Sequence, residues 1–187
     1  GGISVPGGEL ALRIDGLVDS PQTPIVVNCA GRTRSIIGAQ SLINAGVSNP
    51  VYALRNGTIG WTLARLALDR DQQRRYAEES RASTERLQQV SQLAEKAGVA
   101  VIDRATLRRW QQQTDRTTYL FDVRSPEEYA AGHLPGSLSA PGGQLVQETD
   151  HHASVRGARL VLVDDDGIRA AITASWLAQM GWETAIL

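Results

Sequence analysis

Three observations predict a parallel α/β fold. Short β-branched runs, Ile25-Val26-Val27-Asn28 and Tyr119 to Val123, have the continuous apolar character of strands covered on both faces. Each is followed by a helical signal, and strands alternating with helices at this spacing imply a parallel sheet with helical crossovers. The third observation is that part of the pattern occurs twice. Pro6-Gly7-Gly8-Glu9-Leu10 returns as Pro141-Gly142-Gly143-Gln144-Leu145, an offset of 141 − 6 = 135. Sliding residues 1–52 onto 136–187 without a gap gives 13 identities in 52 positions, where unrelated chains of ordinary composition would give about 3 to 4.

Taken in order, the first strand at Ile25–Asn28 leads to a helix over Ser35–Ala45. Ile36, Ile37, Ala39, Leu42 and Ile43 supply its apolar positions, and Gly46 closes it. Val51-Tyr52-Ala53-Leu54 is the next strand. Residues 67–97 are rich in Arg, Glu, Gln and Ala, with no Gly or Pro before Gly98. Leu87, Val90, Leu93 or Ala94, and Ala97 recur at helical spacing, which predicts a solvent-exposed helical connector with one apolar stripe. The heptad pattern is not sustained, so a coiled coil is not expected. After the strand at Tyr119–Val123, Ser125-Pro126-Glu127-Glu128 starts a helix, with Ser as N-cap, Pro at the first helical position and acids facing the dipole. Gly132-His133-Leu134-Pro135-Gly136 ends it.

The repeat sets the domain organisation. The second copy has an upstream segment, roughly 98 to 135, that the first lacks, while the first continues past Tyr52 into Leu54-Arg55-Asn56-Gly57 and Trp61. We therefore expect a half-domain over 1–66, the connector over 67–97 and a second, inactive domain over 98–187 that lacks its last segment.

Composition narrows the function. Lys+Arg total 19 against Asp+Glu 20, a net charge of −1, so no global basic field draws in nucleic acid or anionic membrane. Hydrophobic content of 42% with 21% charged residues is that of a globular chain. The apolar runs fall short of the ~20 residues of a membrane span. A single cysteine excludes internal disulfides and multi-cysteine metal sites, and makes a reducing compartment, hence a cytoplasmic home, the expectation. The start at Gly-Gly, with no Met and no signal pattern, suggests a piece of a longer translation product.

That cysteine, Cys29, stands where a buried strand gives way to a helix, in Asn28-Cys29-Ala30-Gly31-Arg32-Thr33-Arg34-Ser35. Carboxyl ends of parallel strands are where open α/β sheets place their chemistry. The following loop can aim several N–H groups and a helix N-terminus at one point, which binds anions and lowers a thiol pKa. Gly31 allows a tight conformation, and Arg32 and Arg34 add charge that stabilises a thiolate or holds an oxyanion. Tyrosine-phosphatase chemistry requires Arg at the sixth position after the cysteine. Here Ser35 occupies that position and Arg34 the fifth, a shorter loop suited to a smaller atom such as sulfur.

Cys-Ala-Gly-Arg-Thr-Arg-Ser after a buried strand, with Asn56-Gly57 and Trp61 beyond the next strand, resembles the active-site half of a rhodanese, the thiosulfate:thiol or cyanide sulfurtransferase family. Asp122-Val123-Arg124, Glu128-Tyr129 and Gly132-His133-Leu134-Pro135-Gly136 are similar to that family's first signature. Proteins with several rhodanese domains in tandem are the nearest likeness. The resemblance implies a rhodanese-like parallel sheet flanked by helices, in two incomplete tandem copies. It implies Cys29 as the nucleophile that becomes a persulfide, and Ala30, Gly31, Arg32, Thr33 and Arg34 as the loop that cradles it. It further implies Arg32 and Arg34 as donor-orienting groups, cyanide or a thiol as acceptor, and no metal or organic cofactor.

At the same offset Cys29 maps onto Asp164, in Asp164-Asp165-Asp166-Gly167-Ile168-Arg169. A carboxylate accepts no sulfane sulfur, so the second copy is expected to be a degenerate site with a structural role, and the three acids are read as a solvated loop and not a metal site. Asp122, Arg124 and His133 are expected to order the domain, His151 and His152 to lie in a polar loop, and Trp110, Trp176 and Trp182 to pack. Two function classes follow: a sulfurtransferase moving sulfur from thiosulfate or a related donor, or a non-catalytic interaction module. Because the segment preceding the first copy is missing, its sheet edge is expected to be completed by a second chain or by exchange with the second copy, giving a homo-oligomer.

Overall fold

The computed structural model describes residues 2–77 and 82–187. A 3₁₀ turn at Gly7–Glu9 runs into α1 (Leu10–Arg13) and a second 3₁₀ turn at Ile14–Gly16. Then come β1 (Ile25–Val27), α2 (Thr33–Asn44), β2 (Val51–Ala53) and α3 (Gly57–Leu63). The middle of the chain supplies α4 (Thr84–Lys96), β3 (Ala100–Val101), α5 (Arg104–Gln112), β4 (Thr118–Asp122) and α6 (Pro126–Ala131). The remainder is β5 (Leu138–Ser139), α7 (Gly142–Gln147), α8 (Thr149–His152), β6 (Arg159–Val163), α9 (Arg169–Gln179) and β7 (Glu183–Ile186).

The strands form two separate parallel sheets. β1 pairs with β2, Ile25 opposite Val51, and the other five run in the order β3-β7-β6-β4-β5. All pairs in the larger sheet are parallel, with Leu120 opposite Val161 and Val161 opposite Ala185 at its centre. Among the described residues, no strand of the larger sheet pairs with β1 or β2. The outer face of the smaller sheet stays open. Val26 is 57% exposed, whereas Val161, its equivalent 135 positions on, is fully buried under Leu107 of α5 and its neighbours.

One principal core joins the two regions. Ala11, Leu12 and Ala45 pack with Leu160, Leu162 and Leu177, and Val90 and Ala94 of α4 complete the cluster. Positions 135 apart meet directly. A Cβ on Gly8 would stand 2.8 Å from the Gly143 nitrogen, and Trp176 Nε1 donates to Ser41 Oγ at 2.8 Å. Contact between equivalent positions is what a local two-fold relation produces.

The segment 67–97 requires a correction. It is helical only over Thr84–Lys96, residues 67–77 carry no helix, and 78–81 lie outside the described residues. The physical reason is that the apolar periodicity begins at Leu87, and Leu68 and Tyr76, the large apolar side chains before it, are too far apart to make a helix face. Nor is α4 simply solvent-exposed: Val90 is buried, and Arg86 reaches back to the Ala45 carbonyl and, at 2.8 Å, to Asp15. The start of α6 follows the sequence closely. Ser125 and Glu128 form a reciprocal capping box with Pro126 in the first turn, an arrangement worth about 1 kcal/mol. His151 and His152 end the helical turn α8 and do not lie in a loop, and His152 meets the Phe121 ring edge-on at 6.2 Å.

Candidate active site

Cys29 lies two residues beyond the end of β1 and four before the start of α2, and its thiol is free and half-buried. The loop that holds it is fixed from behind. Thr58 N–H donates to the Cys29 carbonyl and Ile59 N–H to the Ala30 carbonyl, both at 3.0 Å. This seating needs the backbone to turn sharply at Asn56 and Gly57, which both have positive φ, 59° and 56°. A Cβ on Gly57 would fall 2.2 Å from the Cys29 carbonyl oxygen, so the glycine is required by close approach as well as by conformation. The motif Asn56-Gly57 is thus a back-support for the cysteine loop.

With the loop carbonyls engaged on that side, its amides serve the sulfur. Ser35 Oγ stands 3.5 Å from Cys29 Sγ, and the amides of Ser35 and Gly31 lie on the sulfur's side of the loop, where they favour the thiolate. Burial pushes the thiol pKa up, but the Ser35 hydroxyl, these amides and the Arg34 charge outweigh it and hold the pKa below its ordinary value. Arg32 caps α2 without a side-chain hydrogen bond, so the first-turn amides are left available. Arg32, Thr33, Arg34 and Ala30 are exposed around the thiol, and among the described residues neither arginine makes an ion pair. Ser35 is the residue that sequence reasoning missed. It drew notice only as the position where a phosphatase arginine is absent, yet it is buried, touches the sulfur, and donates to the Arg32 carbonyl at 2.9 Å.

The second loop repeats this geometry with a different group. Asp164 follows β6 directly, and its carboxylate accepts from the N–H of Ala170 at 2.9 Å and of Gly167 at 3.2 Å. Ala170 is the counterpart of Ser35, so the carboxylate occupies the station that the sulfur takes in the first loop. Burial, with the Asp166 charge, raises the Asp164 pKa to about 7 against the pull of the Ala170 amide. The acids are not merely solvated. Arg169 binds Asp165 at 2.8 Å and Asp166 at 2.5 Å, and also Glu9 at 2.9 Å and Glu128 at 2.6 Å. Burial pushes Glu128 up, but Arg169 and the Ser125 amide draw it down to about 2.

The other sequence candidates are structural in their contacts. Arg124 grips Asp122 through Nε at 3.0 Å and Nη2 at 2.8 Å, and donates to the Gly132 carbonyl at 2.6 Å. His133 stacks on Tyr129 at 3.8 Å. A cavity of about 710 Å³ lies over these strand ends, lined by Asp122, Arg124, His133 and Asp164 among others, and does not include Cys29. No helix among the described residues is long and apolar enough to cross a membrane.

Comparison with known proteins agrees with this geometry. Residues 103–187 match the rhodanese-like domain, and no curated protein matches the chain. Among solved structures, a thiosulfate sulfurtransferase from Pseudomonas aeruginosa is 64% identical with a TM-score of 0.95, covering 100% of this chain and 36% of that one. The chain thus spans about a third of that protein's length. Reduced CoADR-RHD of Bacillus anthracis is more distant, at 19% identity and TM-score 0.45, over 68% of this chain and 21% of that one. SseA of Escherichia coli, described with the "rhodanese" fold of 3-mercaptopyruvate sulfotransferases, gives 16% and 0.39, over 89% and 66%. Residues 103–187 form a rhodanese-like domain, the whole chain superposes on the Pseudomonas protein, and the chain belongs to the rhodanese-like family.

Proposed function

We propose that the chain carries a sulfurtransferase site with Cys29 as its nucleophile. The observation that carries this reading is a free, half-buried thiol just beyond the end of β1, 3.5 Å from Ser35 Oγ and flanked by the exposed Arg32 and Arg34, in surroundings that hold its pKa below the ordinary value. The thiosulfate sulfurtransferase name of the 64% identical relative supports the donor class. In this mechanism the Cys29 thiolate attacks the outer sulfur of thiosulfate. The S–S bond of the donor breaks, sulfite leaves with the electron pair, and Cys29 carries a persulfide. Arg32 and Arg34, exposed and without ion pairs among the described residues, bind the anionic donor and the leaving sulfite. Cyanide or a thiolate then attacks the outer sulfur, forms thiocyanate or a new persulfide, and returns the thiolate to its amides. Sulfur is carried covalently throughout, so the cycle calls on no cofactor.

Intact mass after incubation with thiosulfate tests the reading. The expected result is a gain of one sulfur atom, reversed by cyanide and absent in Cys29→Ser. An unmodified mass from a protein whose Cys29 is still alkylated by iodoacetamide would overturn it.

A further inference from the structure

Arg169 stands 135 positions after Arg34, yet the two arginines have opposite surroundings. Arg34 is exposed beside Cys29, while Arg169 is 2% exposed with its guanidinium spread over Glu9, Glu128, Asp165 and Asp166. Of these four, Glu9 alone comes from the N-terminal region. It is itself buried, and its second oxygen takes Arg13 Nε at 3.0 Å. A buried carboxylate is held only while its cationic partners remain, so the pair fixes the turn Gly7–Glu9 and the start of α1 against the C-terminal region. The residue after Glu9 is Leu10. Its Cδ1 and the Val27 Cγ1 lie 2.8 and 3.2 Å from where a Cβ on Gly38 would stand. Leu10 thus lies against α2 at Gly38 and belongs to the buried cluster against which Val27, the last residue of β1, packs. Those are the two elements whose junction is the Cys29 loop.

We propose that Arg169, acting through Glu9 and Leu10, is a positioning residue for Cys29. The loop with a carboxylate at the nucleophile station clamps the helix that seats the loop with the thiol. The Trp176 to Ser41 hydrogen bond, from α9 to α2, holds the same two parts in register further along. The kinetic side of the proposal rests on the sulfurtransferase reading, but the ionisation of the thiol can be measured without it.

The test records the rate of Cys29 alkylation by iodoacetamide against pH, together with kcat and KM for thiosulfate, in the full chain and in Arg169→Met, Arg169→Lys and Glu9→Gln. The alkylation midpoint should rise by about half a pH unit in Arg169→Met and Glu9→Gln, and kcat should fall about 5- to 10-fold. KM should change by less than about twofold, since Arg32 and Arg34 are untouched. Arg169→Lys, which keeps the charge but loses the planar fork, should recover part of the loss. An unchanged midpoint in folded Glu9→Gln overturns the proposal, and this variant decides the matter if Arg169→Met fails to fold. A shifted midpoint in a protein that never transfers sulfur sustains the positioning role and sinks the sulfurtransferase reading. Normal transfer with no shift does the reverse.

Discussion

The Cys29 and Asp164 loops present nearly the same backbone to two different side chains. In each, a parallel strand ends, a short loop turns, and a residue just inside the following helix meets the side chain at the strand end: Ser35 stands by its hydroxyl 3.5 Å from the sulfur, and the Ala170 amide donates to the carboxylate at 2.9 Å. What differs is the company. Around Cys29 the arginines are exposed and unpaired among the described residues, so positive charge faces outward toward an incoming anion. Around Asp164 two further acids consume the one arginine, and the amides are already occupied by the carboxylate itself. Backbone geometry alone therefore does not make an open anion-binding site. The side chains decide whether the cradle is open to a ligand or filled from within.

The strongest way to break this contrast is at the support behind the first loop. Gly57→Ala places a methyl against the Cys29 carbonyl at a positive φ and should cost about 1 to 3 kcal/mol. Loop displacement should lower kcat by roughly tenfold or more, on the logic that misplaced reacting groups are costly. Thermal unfolding and steady-state kinetics check both parts, and wild-type kinetics in a folded Gly57→Ala protein would show that the support is dispensable.

The filled cradle makes a pH-dependent prediction. The folded-state pKa of Asp164 is raised to about 7 from an ordinary carboxylate value. Its stability contribution is therefore fully present below the unfolded pKa, near 4, and is lost as pH rises toward 7. Asp164→Asn has no charge to form there, so its melting temperature relative to wild type should climb between pH 4 and 7. A difference that stays flat across that range would mean that Asp164 ionises at an ordinary pH.

The smallest effect is expected at Ser35. Ser35→Ala removes the hydroxyl but keeps the amide, so the Cys29 alkylation midpoint should rise by less than about one pH unit, the size of one hydrogen bond. A larger rise would transfer most of the thiol's stabilisation from backbone to side chain and weaken the comparison with Ala170.

The parts of the fold carried by local signals were legible in the sequence. β1, α2, β2 and β4 lie where unbroken apolar runs and 3.6-residue periodicity put them, and the Ser125 capping box announces α6. Elements fixed by distant contacts were not. α3 starts at a left-handed Asn-Gly step and is held by the Cys29 and Ala30 carbonyls, partners nearly 30 residues away. α7 begins with two glycines, which argue against a helix until Gly143 meets Gly8 across the interface. The burial of Arg86 and Arg169 depends on Asp15 and Glu9, 71 and 160 residues distant, and no window of sequence contains both ends of such a pair. At the site, Cys29 and its arginines could be picked out by position and charge. Ser35 and Asn56-Gly57 had to be seen in three dimensions before their work on the loop was evident.

The meeting of Gly8 with Gly143 has a consequence for how such a molecule can change over generations. A β-carbon on either residue would stand about 3 Å or less from the other's backbone nitrogen. A codon change at one site is thus judged by the backbone of the other, although 135 residues of chain separate them. Because the obstacle on each side is backbone, a change at one glycine gives the other no new room, and each position is held to glycine separately.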